Sequence, residues 1–213
     1  EKFKLALELY NYCYKTSKKY NKKIYYEIGV NFHGDRFIKQ EFSQIIKNFA
    51  NLQKIKFITG TTGSKISNSK QVGNFNKKNS KLMTNELSKK KILVKDHNCD
   101  FLKKKEINLR KKCGIFSFNI GPELAHIENE ILYEIGKKSK NKTFSRFLIT
   151  VLQSKKWKKW CNKNSSNKLK FSSSAHYLYN DIDYLNFKKN FLKHTNFNSL
   201  VIKKHFNIYS KFF

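Results

Sequence analysis

Arginine is nearly missing from this chain. Of 45 basic residues only Arg36, Arg110 and Arg146 are arginine, and the other 42 are lysine. Glycine (8) and proline (1) are scarce, and the 15 acidic residues leave a formal net charge of +30. Such a charge suggests a polyanion partner. Proteins that read bases and phosphates, however, favour the planar arginine fork. The lysines are spread over the whole chain and not gathered in one segment. The abundant residues Lys, Asn, Ile, Phe and Tyr have A/T-rich codons, and the scarce ones have G/C-rich codons. A biased genome therefore accounts for the charge, and no specific nucleic-acid partner is expected. Loose adhesion to polyanions at low salt still follows from it.

Other absences narrow the field. No apolar run approaches the ~20 residues of a membrane span, and no signal-peptide pattern is present. A cytoplasmic location without a membrane partner is expected. Cys13, Cys99, Cys113 and Cys161 lack CxxC or zinc spacing; half-buried structural thiols in a reduced setting fit them. No Walker loop, HExxH or Ser-His-Asp order occurs. The first residue is Glu1, already inside a helical pattern, which reads as a truncated or processed start, or a fragment.

What remains is globular. The chain has 213 residues, 39% hydrophobic and 15% aromatic, enough for one domain with a core. Its most telling stretch runs from Gly114 to Ile135. The strand Ile115 to Phe118 ends at Asn119, turns through Gly121-Pro122, and enters a helix. Pro122 suits the first helical turn and Glu123 its positive end. Leu124, Ile127, Ile131 and Ile135 then form an apolar stripe.

The unit is repeated. Strands are predicted at Ile24–Val30, Ile55–Thr59, Ile92–Lys95 and Ile115–Phe118. Between them lie helical patterns: Glu1–Lys19 with Leu5, Leu9 and Tyr12 on one side, and Phe37–Asn51 with Ile38, Phe42, Ile45 and Phe49. Lys77–Lys90 follows around Leu82, Met83 and Leu87. Leu102–Lys112 has Leu102, Glu106, Leu109 and Cys113 on one side. The strand spacings leave room for crossover helices and therefore parallel pairing. Residues 60–76 form a Gly/Ser/Asn-rich loop of a length that is often functional. Residues 139–213 read as a helical C-terminal extension packing on the βα units of residues 1–138. Trp157, Trp160, Tyr177, Tyr179 and Tyr184 serve packing there; a base-stacking platform is the other reading. The fold class is α/β. Four βα units cannot close an eight-stranded barrel, so a TIM-type (β/α) half-barrel with a missing N-terminal half, then a helical tail, is expected.

Ligands of parallel β/α proteins bind at the carboxyl ends of strands. Those ends carry Asn31, His33, Gly34 and Asp35; Thr61, Thr62, Gly63 and Ser64; Asp96, His97, Asn98 and Asp100; and Asn119, Gly121 and Glu123. His97 and Asp100 could meet a substrate hydroxyl or a metal, or Asn98 or Asp100 could simply cap the next helix. The Gly63 and Gly121 turns could offer N–H groups to a phosphate, or be plain connections. The candidate substrate-binding set is His97, Asp100, Asn119, Gly121, Thr61 and Gly63. No catalytic residue and no metal-ligand set is assigned. His126 reads as a helix-face or partly buried histidine.

Together these segments resemble the non-catalytic subunit family of class II D-tagatose-1,6-bisphosphate aldolase, over its C-terminal half. Ile120-Gly121-Pro122-Glu123-Leu124 with Ile127-Glu128 and Lys95-Asp96-His97-Asn98-Cys99-Asp100-Phe101 carry the resemblance best. Tyr25-Tyr26-Glu27-Ile28-Gly29, Thr61-Thr62-Gly63 with Ser69, Trp157-Lys158-Lys159-Trp160, and Phe171-Ser172-Ser173-Ser174 with Tyr179 extend it. Departures are Asn31, Lys95 and Lys65 for glutamates, Thr61 for glutamine, and Ala175, His176 and Leu178 for an aspartate and two arginines. The resemblance implies a barrel fold and an accessory role in carbohydrate metabolism, supporting a catalytic aldolase subunit that carries the zinc. It implies no cofactor in this chain and a sugar phosphate as possible ligand. A sugar-phosphate-binding lyase in its own right, and a lysine-rich nucleic-acid-binding protein, are the alternatives.

Overall fold

Short β-branched runs alternating with amphipathic stretches give an α/β fold in the computed structural model, which describes residues 2–29, 39–60 and 62–213. The strands are β1 (Tyr26–Gly29), β2 (Ile55–Gly60), β3 (Ile66–Ser67), β4 (Lys70–Gln71), β5 (Leu93–Asp96) and β6 (Ile115–Phe118). The helices are α1 (Lys2–Lys19), α2 (Lys39–Phe49), α3 (Lys77–Ser88), α4 (Lys104–Lys111), α5 (Pro122–Ser139), α6 (Lys142–Gln153), α7 (Asn167–Ser174), α8 (Ile182–Asn190) and α9 (Phe197–Tyr209). The chain forms two compact units. One comprises Glu1–Lys65, Gly73–Cys99 and Asn108–Asn119, the other Ile66–Val72, Asp100–Ile107 and Ile120–Phe213.

In the first unit β1, β2, β5 and β6 lie side by side in chain order, all parallel. Each crossover contains a helix, which is what parallel pairing requires. Among the described residues no barrel is closed. Ile28, Ile58, Val94 and Ile115 are register partners across the four strands. They pack on Phe42, Ile45 and Phe49 of α2 and on Met83 and Leu87 of α3. Because side chains alternate along a strand, Glu27, Phe57, Thr59, Leu93 and Lys95 fall on the opposite face.

Helices α1 and α4 turn differently from their predicted stripes. In α1, Leu5, Leu9 and Tyr12 are 59%, 57% and 71% exposed. The buried side carries Phe3, Ala6, Leu7, Tyr10 and Tyr14 instead. The helix has two apolar stripes, and the one richer in rings makes the larger contact: Phe3 meets Phe49 and Tyr10 meets Tyr26 edge-on. Helix α4 is shorter than predicted; Leu102 and Cys113 are buried beyond its ends, Ile107 and Arg110 are buried within it, and Leu109 is exposed. The predicted position Ile38 lies outside the described residues, as do Val30, Asn31, His33, Gly34 and Asp35.

The loop of residues 60–76 holds an unpredicted two-residue hairpin, β3 with β4. Asn68 and Ser69 at its turn both have positive φ, 48° and 55°. That is the type I′ geometry whose twist matches a hairpin, and asparagine tolerates it.

The second unit is a helical cluster. Phe144, Phe147, Phe171, Tyr184 and Phe187 form its centre with Leu132 and Val151. Asn141 caps α6, its side chain accepting from Thr143 N at 2.8 Å. Helix α5, counted with the βα units in the sequence reading, groups by its contacts with the helices that follow it. Its predicted stripe of Leu124, Ile127, Ile131 and Ile135 is half-buried, while Glu123, Asn129, Leu132 and Gly136 are fully buried. The cause is that α6, α7 and α9 all pack on this helix. Gly136 makes room for the Phe144 ring, which a Cβ there would meet at 2.2 Å.

Candidate functional site

Within the first unit, His97 follows β5 and Asn119 follows β6, and the two are brought together. His97 Nδ1 lies 3.0 Å from Asn119 Nδ2. The backbone locks this rim: His97 N donates to Gly60 O, and Asn119 N donates to Asp96 O.

On the sheet face opposite α2 and α3 sits a polar cluster that local pattern does not reveal. Lys95 Nζ is 2.9 Å from Glu27 Oε2, and Thr59 Oγ1 donates to Glu27 Oε1. Thr59 and Lys95 are direct cross-strand partners. Burial alone would raise the Glu27 pKa, but hydrogen bonds from Thr59 and Lys95, and the charge of Lys95, hold it below the ordinary value. Lys95, seen in the sequence as a charge reversal, is thus answered by a carboxylate 68 residues earlier. Period-two alternation puts both on one face, but only the strand register makes them neighbours.

Asp96 ends β5 at a ligand-binding position, yet its carboxylate is fully engaged by the protein. Arg110 Nε donates to Oδ2 at 3.0 Å, Thr62 N donates to Oδ1 at 3.0 Å, and Thr62 Oγ1 donates to Oδ2 at 2.7 Å. Arg110 Nη2 also donates to Ser64 Oγ, and its guanidinium lies 4.4 Å from the Phe75 ring centre. Asp96, Arg110, Thr62 and Ser64 are all buried. Gly63, between the two hydroxyl residues, has φ +99°, and a Cβ on it would stand 1.9 Å from Asn74 O. Its place is a close passage of two backbone segments. Thr61 lies outside the described residues.

Asp100 and Gly121 meet in the second unit. Asp100 Oδ1 accepts from Gly121 N and Glu123 N, each at 2.8 Å. Helix α5 has no side-chain cap of its own at Gly121, and Asp100 supplies one from 21 residues earlier. The predicted alternative, a cap on the next helix, is replaced by a cap on the helix after it. Burial raises the Asp100 pKa against the lowering effect of these two N–H groups. Glu123 is engaged as well: its Oε2 accepts from Phe101 N at 2.7 Å and its Oε1 meets Lys211 Nζ at 2.6 Å.

Two half-buried histidines add further polar contacts in this unit. His126 Nδ1 is 3.1 Å from Ser69 Oγ, and they line a cavity of about 10 Å³ with Ile66, Phe101, Pro122, Trp160 and Ser173. That is room for one water molecule at most. His176 Nδ1 is 3.1 Å from Asn129 Nδ2, and the Asn129 carbonyl oxygen accepts from Tyr179 OH. The tail motif Phe171 to Tyr179 thus serves packing and a buried polar network. A wider groove of about 620 Å³ runs along α5 and α9, lined by Ile131, Ile135, Leu200, Lys138, Lys168 and Lys204 among others; it includes none of the predicted site residues. Among the described residues, no three His, Cys, Asp or Glu side chains are placed to hold a metal ion, and no helix is long and apolar enough to cross a membrane.

The histidines make the unit acid-sensitive. Burial lowers both pKa values; the carboxylates of Glu130 and Glu123 work against this at His126, and Lys159 adds to it at His176. The unfolded chain therefore takes up protons first as pH drops below about 6.5. Stability is complete above that value and is lost as pH falls through it toward the folded pKa. Asp100 acts in the opposite sense at lower pH, since its raised pKa favours the fold where it is protonated. Trp157 and Trp160 both belong to this unit. A melting temperature followed by their fluorescence is expected to fall between about pH 7 and pH 5, and His176→Gln to remove part of the fall. A flat profile would show that neither ring is held neutral.

No family model matches the sequence, and no curated protein matches it. Among solved structures, the fold is similar to that of a probable tagatose 6 phosphate kinase from Sinorhizobium meliloti 1021. The TM-score is 0.58 at 12% identity, over 76% of this chain and 47% of that one. The likeness is one of fold, and the chain spans about half the length of its structural neighbour.

Proposed function

We propose that the chain is an accessory, non-catalytic subunit of a class II tagatose-1,6-bisphosphate aldolase, built on the C-terminal half of a TIM-type barrel and acting on carbohydrate metabolism in the cytoplasm. The observation that carries this reading is the state of the carboxylates at and near the strand ends. Asp96 is bound to Arg110 and Thr62, Asp100 to the backbone of α5, Glu27 to Lys95 and Thr59, and Glu123 to Lys211. A scaffold that uses its acids to hold its own loops suits a supporting subunit. The fold shared with a probable tagatose 6 phosphate kinase, and four parallel βα units in barrel order, support the same reading.

In this role the zinc and the retro-aldol cleavage of the bisphosphate to two triose phosphates belong to the catalytic subunit. The isolated chain is expected to cleave no tagatose 1,6-bisphosphate. Mixed with a catalytic subunit, it should raise that subunit's turnover and melting temperature. At a hundredfold excess over Kd, binding to the folded state alone adds about 2.7 kcal/mol.

A second reading is favoured by the His97–Asn119 pair that follows β5 and β6. Its side chains offer hydrogen-bond partners to a sugar phosphate, as a lyase in its own right would. Robust metal-dependent cleavage by the purified chain alone would sink the accessory reading and promote this one.

A further inference from the structure

Helix α9 is apolar on two sides. Phe197, Val201 and Ile208 face the packed interior of the second unit. On another side Ile202, Phe206 and Tyr209, followed by Phe213 just past the helix, are 68%, 71%, 45% and 94% exposed. Ile202, Phe206 and Tyr209 are spaced by four and three residues and so form one helical stripe, which can accept one further helix. An apolar stripe of this kind on a helix is normally buried against another element.

The size of the patch points the same way. Three aromatic rings at about 150–250 Å² each, plus an isoleucine, leave on the order of 500 Å² exposed. That is near the upper limit for the surface of a monomer, about 600 Å². It also supplies more than half of the roughly 800 Å² that one side of a stable interface needs.

Charge selects the occupant. After Asp183 the sequence shows no acidic side chain, while Lys188, Lys189, Lys193, Lys203 and Lys204 follow it and Lys211 is already paired with Glu123. Of these Lys203 flanks the seam directly. A second copy would bring the same lysines and another +30 to the contact. Like charges across an interface work against it, and opposite charges select it.

We infer that the outer face of α9 docks an acidic amphipathic helix of a partner protein. The inference rests on the accessory-subunit reading, and the partner is the catalytic subunit of that reading. Ile202, Phe206, Tyr209 and Phe213 enter its apolar seam, and its carboxylates meet Lys203 and the neighbouring lysines.

The test uses the full chain and a purified class II tagatose-bisphosphate aldolase catalytic subunit, with association read by sedimentation and titration calorimetry. Phe206→Asp, and separately Ile202→Asp, should weaken binding at least ~10-fold with an unchanged circular dichroism spectrum and melting temperature, since both side chains are exposed. Raising salt from about 50 to about 300 mM should weaken the wild-type complex too. Equal binding by wild type and both variants overturns the docking face and leaves the accessory reading standing. No binding by the wild type overturns both. Self-association of the chain alone that Phe206→Asp abolishes assigns the seam to a second copy, and adsorption to phosphatidylserine vesicles that the same variant abolishes assigns it to a lipid surface; either overturns the inference.

Discussion

Arg110→Met is expected to cost about 3–5 kcal/mol. Asp96 has no exposed surface, and Arg110 is its cationic partner at 3.0 Å. Removing the guanidinium leaves a buried carboxylate that, among the described residues, is held by Thr62 and Ser64, and strips Ser64 of a donor and Phe75 of its cation. A domain of this size is stable by about 5–15 kcal/mol, so roughly a fifth of the total or more is at stake. Denaturant melts of the variant should show a shifted midpoint with an unchanged slope. The double variant Arg110→Met with Asp96→Leu should recover most of the loss, because a buried ion pair exchanged for apolar side chains is often neutral. If the single variant melts like the wild type, the pair is not buried in solution and the account of Asp96 as a scaffold group fails.

Gly63→Ala is expected to be the next most damaging change, at about 3 kcal/mol or more. Its φ of +99° is strained for any L side chain, and a Cβ would overlap Asn74 O at 1.9 Å, where backbone and not a flexible side chain must move. Gly121 is the control. It is a candidate for the same phosphate-binding role, but its surroundings are empty within 4 Å and its φ of −162° lies outside the left-handed region that favours glycine. Gly121→Ala should therefore change the melting midpoint by less than about 0.5 kcal/mol. Its N–H would still reach Asp100, which needs no particular side chain at position 121. Comparable losses from both substitutions would contradict the division of the two glycines into a tight passage and an open turn.

Local pattern was enough for the four parallel strands, the helices between them and their order. The strands at residues 55–59 and 115–118 were legible because β-branched and aromatic residues cluster between turn formers. Parallel pairing followed from the length of the crossovers. The exposed and buried sides of α1 were not legible: Leu5-Leu9-Tyr12 and Phe3-Tyr10-Tyr14 both satisfy helical spacing. Only the presence of Phe49 and Tyr26 beside the second set decided between them. The hairpin at residues 66–71 was hidden in the same way, since Asn68-Ser69 lacks the glycine that usually announces a type I′ turn.

The site divides along the same line. By itself the sequence determined an α/β chain of four βα units and a helical tail, and which polar residues follow which strands. Those features depend on periodicity and turn chemistry, which act over a few residues. The tertiary structure alone decided what each polar group does: Asp96 with Arg110, Glu27 with Lys95, Asp100 on the N-terminus of α5, Asn129 with His176 and Tyr179. The partners in these contacts are 14 to 68 residues apart. A buried carboxylate must be satisfied by whatever donor the fold brings to it, and no local pattern encodes which one that is.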